Sequence, residues 1–166
     1  MLWAMREGTG DGGFGRDDVE RFLRLLREAP IRITVATDGV DAARLRERTA
    51  DEPWSVNDIL AHVRAAADTR ERFISKMSTG KNETLTYHSP RSELRKTNYV
   101  DLSFAENLAA FRAQRVSLVE RLESSPMEDW SRGSLIRDRP ETVASYVGYL
   151  TEHETTHCEQ IEALLR

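Results

Sequence analysis

Apolar side chains recur every three or four positions in four long stretches of the chain, the spacing that gathers them on one face of an α-helix. The first stretch carries Val19, Phe22, Leu23, Leu26 and Ile33. It predicts a helix that starts at Asp17 or Asp18, either of which suits an N-cap, and runs to about Thr37. Pro30 interrupts the pattern and should kink or split the helix, since proline lacks an N–H and crowds the preceding turn. Asp38-Gly39 closes it, and Asp41 to Glu47 reads as a short helical link. The second stretch, about Ser55 to Met77, buries Val56, Ile59, Val63, Ala66, Phe73 and Ile74. Its start signal is the clearest in the sequence. Ser55 is followed three residues later by Asp58, the layout of a capping box with Asp in place of Glu or Gln. The third stretch, about Ser103 to Ser124, shows Phe104, Leu108, Phe111, Leu118 and Leu122. The last is predicted to open with Pro140 in its first turn and to reach the C-terminus. Val143, Tyr146, Val147, Leu150, Ile161, Leu164 and Leu165 mark its face.

Between the second and third stretches, residues 78–102 are polar, contain Pro90 and keep no steady period. They read as a long loop with one turn of helix at most, and loops of that length are more often functional than idle. Pro126 to Trp130 reads as a short turn of helix with Trp130 as its anchor. No segment alternates as a strand does. The expected architecture is therefore all-α, a four-helix bundle with one long connection. It forms a single domain over residues 16–166, preceded by a Gly-rich, flexible lead-in over residues 1–15.

Composition narrows the class without changing that picture. The 166 residues are 39% hydrophobic and 31% charged, ordinary for a globular protein with one core. No apolar run approaches the roughly 18 residues of a membrane span. The net charge of −4 is spread over mixed signs, and the only basic clusters are short, such as Arg91, Arg95 and Lys96. That argues against a nucleic-acid partner. The lone cysteine, Cys158, and the lack of a signal-peptide layout fit a reducing, cytoplasmic setting. An exposed bundle face leaves a symmetric homodimer open.

The histidines change the picture most. Along the last helix, the predicted inward positions run Leu150, His153, His157, Ile161, so both histidines fall where a leucine is expected. Four residues apart, two imidazoles sit one above the other and can converge on one ion at about 2.0–2.1 Å each. His62 follows Ile59 by three residues and points inward or to the core edge. A single inward histidine is ordinarily a hydrogen-bonded core residue. Two on one stripe need two sets of partners, and one divalent metal ion supplies a shared partner. His88, in the polar loop, reads as a surface histidine. His153-Glu154-Thr155-Thr156-His157 also spells H-E-x-x-H, the zinc-peptidase helix. The remainder of that pattern is missing: Gln160 and Ala163 stand where the longer form needs Gly and His, and only nine residues follow His157.

Two segments together resemble the DinB-like (DNA-damage-inducible) superfamily. Trp54-Ser55-Val56-Asn57-Asp58-Ile59-Leu60-Ala61-His62 is similar to its W-S/T-x-x-D/E-hydrophobic-L-x-H element. His153-Glu154-Thr155-Thr156-His157-Cys158-Glu159-Gln160-Ile161 is similar to its terminal H-D/E-x-H-H-x-x-Q-I element, with Thr156 where many members carry histidine. The resemblance spans about Asp17 to Arg166. It implies a four-helix bundle and a metal triad at His62, His153 and His157, with Gln160 in a supporting role. It also implies a family in which some members are bacillithiol- or mycothiol-dependent thiol S-transferases and others isomerise maleylpyruvate with mycothiol.

Three neutral histidines leave one position open on a tetrahedral zinc, nickel or iron ion, which is a catalytic rather than a structural arrangement. Such a centre serves a thiol S-transferase acting on a small electrophile with bacillithiol or mycothiol. It equally serves a hydrolase of a small-molecule substrate, or a metal-binding stress-response protein without turnover. Glu154 is the candidate helper for a bound nucleophile, unless it simply faces solvent as an exposed helix glutamate. Arg115, on the predicted inward face between Phe111 and Leu118, is either a holder of a substrate carboxylate or phosphate or a partner of Glu152 or Glu154. Cys158 projects from another face and is not counted as a ligand. Trp54 reads as a packing residue at the helix start.

Overall fold

The computed structural model describes residues 14–48, 52–81 and 84–166, so residues 1–13 of the predicted flexible lead-in lie outside it. Four long helices form the bundle: α1 Arg16–Thr37, α3 Val56–Ser78, α5 Phe104–Glu123 and α7 Val143–Leu164. Short helices α2 Ala42–Arg46, α4 Pro90–Leu94 and α6 Met127–Trp130 occupy the connections. The all-α bundle expected from periodicity is the observed fold.

Local chemistry explains the ends of the helices. Gly15, not Asp17 or Asp18, caps α1, and Asp18 reaches back to accept from the Gly15 N–H at 3.1 Å. Pro30 does not split α1, which continues to Thr37 with Pro30 buried beside Ala29 and Ile33. The hydrogen bond lost at proline is offset by that packing. Ser55 and Asp58 form the predicted capping box at α3, and Arg48 clamps both Asp58 oxygens at 2.8 and 3.0 Å. Ser103 and Glu106 make the equivalent box at α5.

Two sequence expectations are corrected between α5 and α7. A short antiparallel hairpin, β1 Gly133–Ile136 and β2 Arg139–Thr142, stands where no strand was expected. Its two turn residues, Arg137 and Asp138, both have positive φ, at 52° and 60°. That is the backbone of the tight hairpin turn usually written Asn-Gly, and the absence of those residues hid it. Pro140 lies in β2 opposite Leu135 rather than in the first turn of α7, which Thr142 caps instead. A two-stranded ribbon has only edges, so a proline is tolerated there. The α3–α5 segment with α4 is the longest connection of the bundle, and it meets the α5–α7 segment, which holds α6 and the hairpin. Leu85 bridges the first to Ile136 of the second, and its N–H donates to the Leu135 carbonyl at 2.8 Å. Trp130 is fully buried, as its anchoring role requires.

The core is divided. One apolar cluster holds Leu26, Ile74, Leu118, Trp130, Val147 and Leu150, and a second holds Ile33, Ile59, Leu60, Phe111, Cys158 and Ile161. Buried charges fall between them on three helices: Arg70 between Ala67 and Phe73, Arg115 between Phe111 and Leu118, and Glu154 between Leu150 and Cys158. The bundle thus carries a polar layer across its middle. No helix among the described residues is long and apolar enough to cross a membrane.

Candidate metal centre

His62 sits in the second turn of α3, held in place by the capped, Arg48-clamped start of that helix, and is 6% exposed. His153 and His157 occupy successive turns of α7 and are half-buried. The helices bring one nitrogen from each of the three rings within 4.8 Å of one another. The Nε2 atoms of His62 and His153 are 3.2 Å apart. Two nitrogens bound at about 2.0–2.1 Å to a tetrahedral ion stand about 3.3 Å apart, so the pair fits a shared cation. The His157 ring lies 4.9 Å from that of His62 and 4.5 Å from that of His153.

His157 has the best-defined orientation. Glu52 accepts from Gln160 Nε2 at 2.9 Å, which turns the amide oxygen of Gln160 toward His157. That oxygen lies 2.9 Å from Nδ1 of the histidine and must accept its proton. The lone pair is then left on Nε2, the atom available to an ion. Among the described residues, Nδ1 of His62 and of His153 has no hydrogen-bond partner.

Burial keeps all three rings neutral, the state that ligation needs. Desolvation, reinforced by His157, Arg70 and Arg91, lowers the pKa of His62 from its ordinary value to about 3. Desolvation and then Arg70 push His153 down further. His157 is lowered by burial too, against the opposing effect of its bond to Gln160.

The inward face of α7 differs from the predicted one. Its buried residues are Val143, Tyr146, Val147, Leu150, Thr151, Glu154, Cys158 and Ile161, with the histidines on the flank. α7 packs on α1 as well as on α3, which turns positions 154 and 158 to the centre and leaves 153 and 157 at an accessible edge. Glu154 is therefore no exposed helix glutamate. It is 1% exposed and accepts from Arg115 Nη1 at 3.0 Å. Arg115, itself 1% exposed, also pairs with Glu71. Burial raises the pKa of Glu154 to about 7 despite Arg115 and Arg70, and one of its oxygens has no hydrogen-bond partner among the described residues. Of the two salt-bridge partners considered for Arg115, Glu154 is the one used, and no donor of the polar layer ties Glu152. Cys158 lies in the core, with its thiol directed at the Ala29 carbonyl and its pKa pushed up to about 12 by burial. His88 is exposed in the loop.

Trp54 does more than pack a helix start, because its ring meets the edge of His62 at 4.8 Å and so forms a wall of the site. Arg91, from α4, stands over the Trp54 ring at 5.3 Å. On the opposite flank, Tyr149 lies one turn before His153, with ring centroids 6.4 Å apart, and Arg70 stands over its ring at 4.7 Å. Sequence reasoning missed Arg70. Its spacing of eight residues from His62 along α3 was the available signal.

The profile of the DinB superfamily matches residues 25–161 of the chain. The chain belongs to the DinB superfamily. The two motifs that suggested this are now seen to place His62 on α3 against His153 and His157 on α7. No curated protein matches the chain. Among solved structures, YfiT from Bacillus subtilis is similar with a TM-score of 0.80 at 14% identity, over 93% of this chain and 90% of that one. YfiT is described as "a probable metal-dependent hydrolase with an unusual four-helix bundle topology". At that identity the likeness is one of fold, and this DinB-superfamily chain shares the bundle topology.

Proposed function

We propose that His62, His153 and His157 hold one divalent ion, zinc, nickel or iron, and that the protein uses this centre to transfer a low-molecular-weight thiol such as bacillithiol or mycothiol to a small electrophile. The observation that carries the metal reading is the 3.2 Å approach of two neutral imidazole nitrogens, from buried His62 and half-buried His153, with a third ring oriented by Gln160 and Glu52. When bound, the ion supplies Lewis acidity, bringing the pKa of a thiol or of water toward neutrality. Trp54 and Tyr149 flank the triad and restrict water on two sides. Arg115 holds Glu154 inside the bundle, away from the role of a free general base. That placement supports thiol chemistry, because a thiol ionises far more readily than water and needs less help from a carboxylate. In the reaction the thiol S–H proton passes to solvent, an S–C bond forms and the leaving group departs from the electrophilic carbon.

A hydrolase acting on a small ester or amide is the second reading, favoured by the description of YfiT. The test is elemental analysis of protein purified without an affinity tag, followed by incubation with bacillithiol or mycothiol and a chlorinated electrophile. Stoichiometric metal that is lost in His62→Ala and His157→Ala, together with metal-dependent thioether formation, is the expected result. Turnover of an ester or amide panel alone selects the hydrolase. Metal without turnover in either assay leaves a metal-binding stress-response protein. A folded protein with no affinity for zinc, nickel or iron overturns the centre itself.

A further inference from the structure

Arg70 occupies the same face of α3 as His62, two turns further on. Side chains on a helix lean toward its N-terminus, so the long arginine side chain leans back toward the triad. Its guanidinium covers Tyr149, and Tyr149 in turn lies beside His153.

The partners of Arg70 set it apart from the other buried arginine. Arg115 is neutralised by Glu154 and Glu71. Arg70 is 2% exposed, yet among the described residues its Nε and Nη1 have no hydrogen-bond partner and no carboxylate forms a salt bridge with it. The nearby acids are otherwise engaged: Asp68 accepts from Tyr99 and Gln114, while Glu71 and Glu154 accept from Arg115. A buried guanidinium without a hydrogen-bonded or ion-paired partner is expensive, at several kcal/mol per ion. A fold retains such a group where a ligand completes it, and arginine is the side chain best matched to carboxylate and phosphate oxygens. The stacked Tyr149 also borders a groove of about 620 Å³ that includes Tyr87 and Tyr146, room for the body of a small molecule.

We propose that Arg70 is the anchor for an oxyanion, a carboxylate or phosphate, on the substrate, which lies across Tyr149 with its reactive end toward the three histidines. The substrate of this site is thus an anionic small molecule with an apolar or aromatic body. The placement of the reactive end rests on the metal-centre reading; the anion contact does not. Arg115, the residue whose sequence position suggested an anion-binding role, is occupied within the core, and Arg70 takes that role.

The experiment titrates benzoate, phenyl phosphate and neutral benzamide into zinc-loaded and metal-stripped protein by calorimetry, comparing wild type with Arg70→Met and Arg70→Lys. The anions should bind wild type at least tenfold more tightly than Arg70→Met, with Arg70→Lys between, and the weak affinity for benzamide should not change. Whichever of the two anions binds tighter identifies the oxyanion. Zinc stoichiometry is measured on the same samples. Arg70-dependent anion binding in a protein that takes up no zinc supports the anchor and overturns the metal centre alone. Normal zinc uptake with equal anion affinity in wild type and Arg70→Met overturns the anchor alone. Should Arg70→Met fail to fold, the Nε–H resonance of Arg70 in labelled wild type decides. A shift that saturates with the anions and not with benzamide supports the anchor, and an unmoved resonance refutes it.

Discussion

Replacing Arg115 by methionine removes the cation that the two carboxylates Glu154 and Glu71 share while keeping much of the side-chain volume. Glu154 is 1% exposed, so water cannot replace the lost partner. Breaking a buried ion pair from one side costs about 3–5 kcal/mol, a large share of the roughly 5–15 kcal/mol that holds a domain together. The loss depends on pH in a defined direction. Glu154 is already raised from 4.5 to about 7 by burial, so between those values the folded state binds more protons than the unfolded state. Stability from this group therefore falls as pH rises through the window. Without Arg115 the carboxyl is pushed up further, and the decline deepens and extends to higher pH. The difference between Arg115→Met and wild type should be near the full 3–5 kcal/mol at pH 8 and distinctly smaller at pH 5. Urea unfolding of metal-stripped protein, followed by tryptophan fluorescence and circular dichroism at both pH values, measures it. Adding Glu154→Gln to the variant should recover much of the loss at pH 8. A penalty below about 1 kcal/mol, or one that does not change with pH, would refute the reasoning, since either means that Glu154 is not a buried charge dependent on Arg115.

Other expectations follow from the same geometry. The three histidines have folded-state pKa values below the ordinary one, so the unfolded state takes up more protons and metal-free stability should drop as pH falls below about 6.5. Three histidines outnumber the opposing Glu154, and the drop should shrink in a His62→Ala/His157→Ala variant; an identical acid profile would count against neutral, buried rings. Gln160→Leu removes the acceptor that orients His157 and should weaken zinc binding about 10–100-fold in a competitive chelator titration, with the helical circular dichroism unchanged. Leu150→Ala opens a cavity in the fully buried core and should cost about 2–5 kcal/mol in urea unfolding. Leu135→Ala, at a site 43% exposed, should cost under about 0.5 kcal/mol.

Much of the fold was legible because helix periodicity and capping are local. Ser55 with Asp58 and the apolar spacing of residues 56–74 place α3 to within a residue, since both signals act over one or two turns. The pairing of His153 with His157 in the candidate site was legible for the same reason: they share a face by spacing alone. The hairpin was not, because Arg137-Asp138 carries positive φ without the glycine or asparagine that announces it. The inward face of α7 was misjudged by one position because two neighbours, α1 and α3, jointly set its rotation. Helix rotation and packing decided what no local rule could: Glu154 went to the core with Arg115, the histidines to an accessible edge, and Arg70 to a buried place without a hydrogen-bond partner for its Nε and Nη1 among the described residues. Sequence by itself determined the helices, their caps and the three imidazoles, because hydrogen bonding and hydrophobic spacing operate along the chain. Tertiary structure alone decided which buried charges are paired, because that pairing depends on which helices meet and at what rotation.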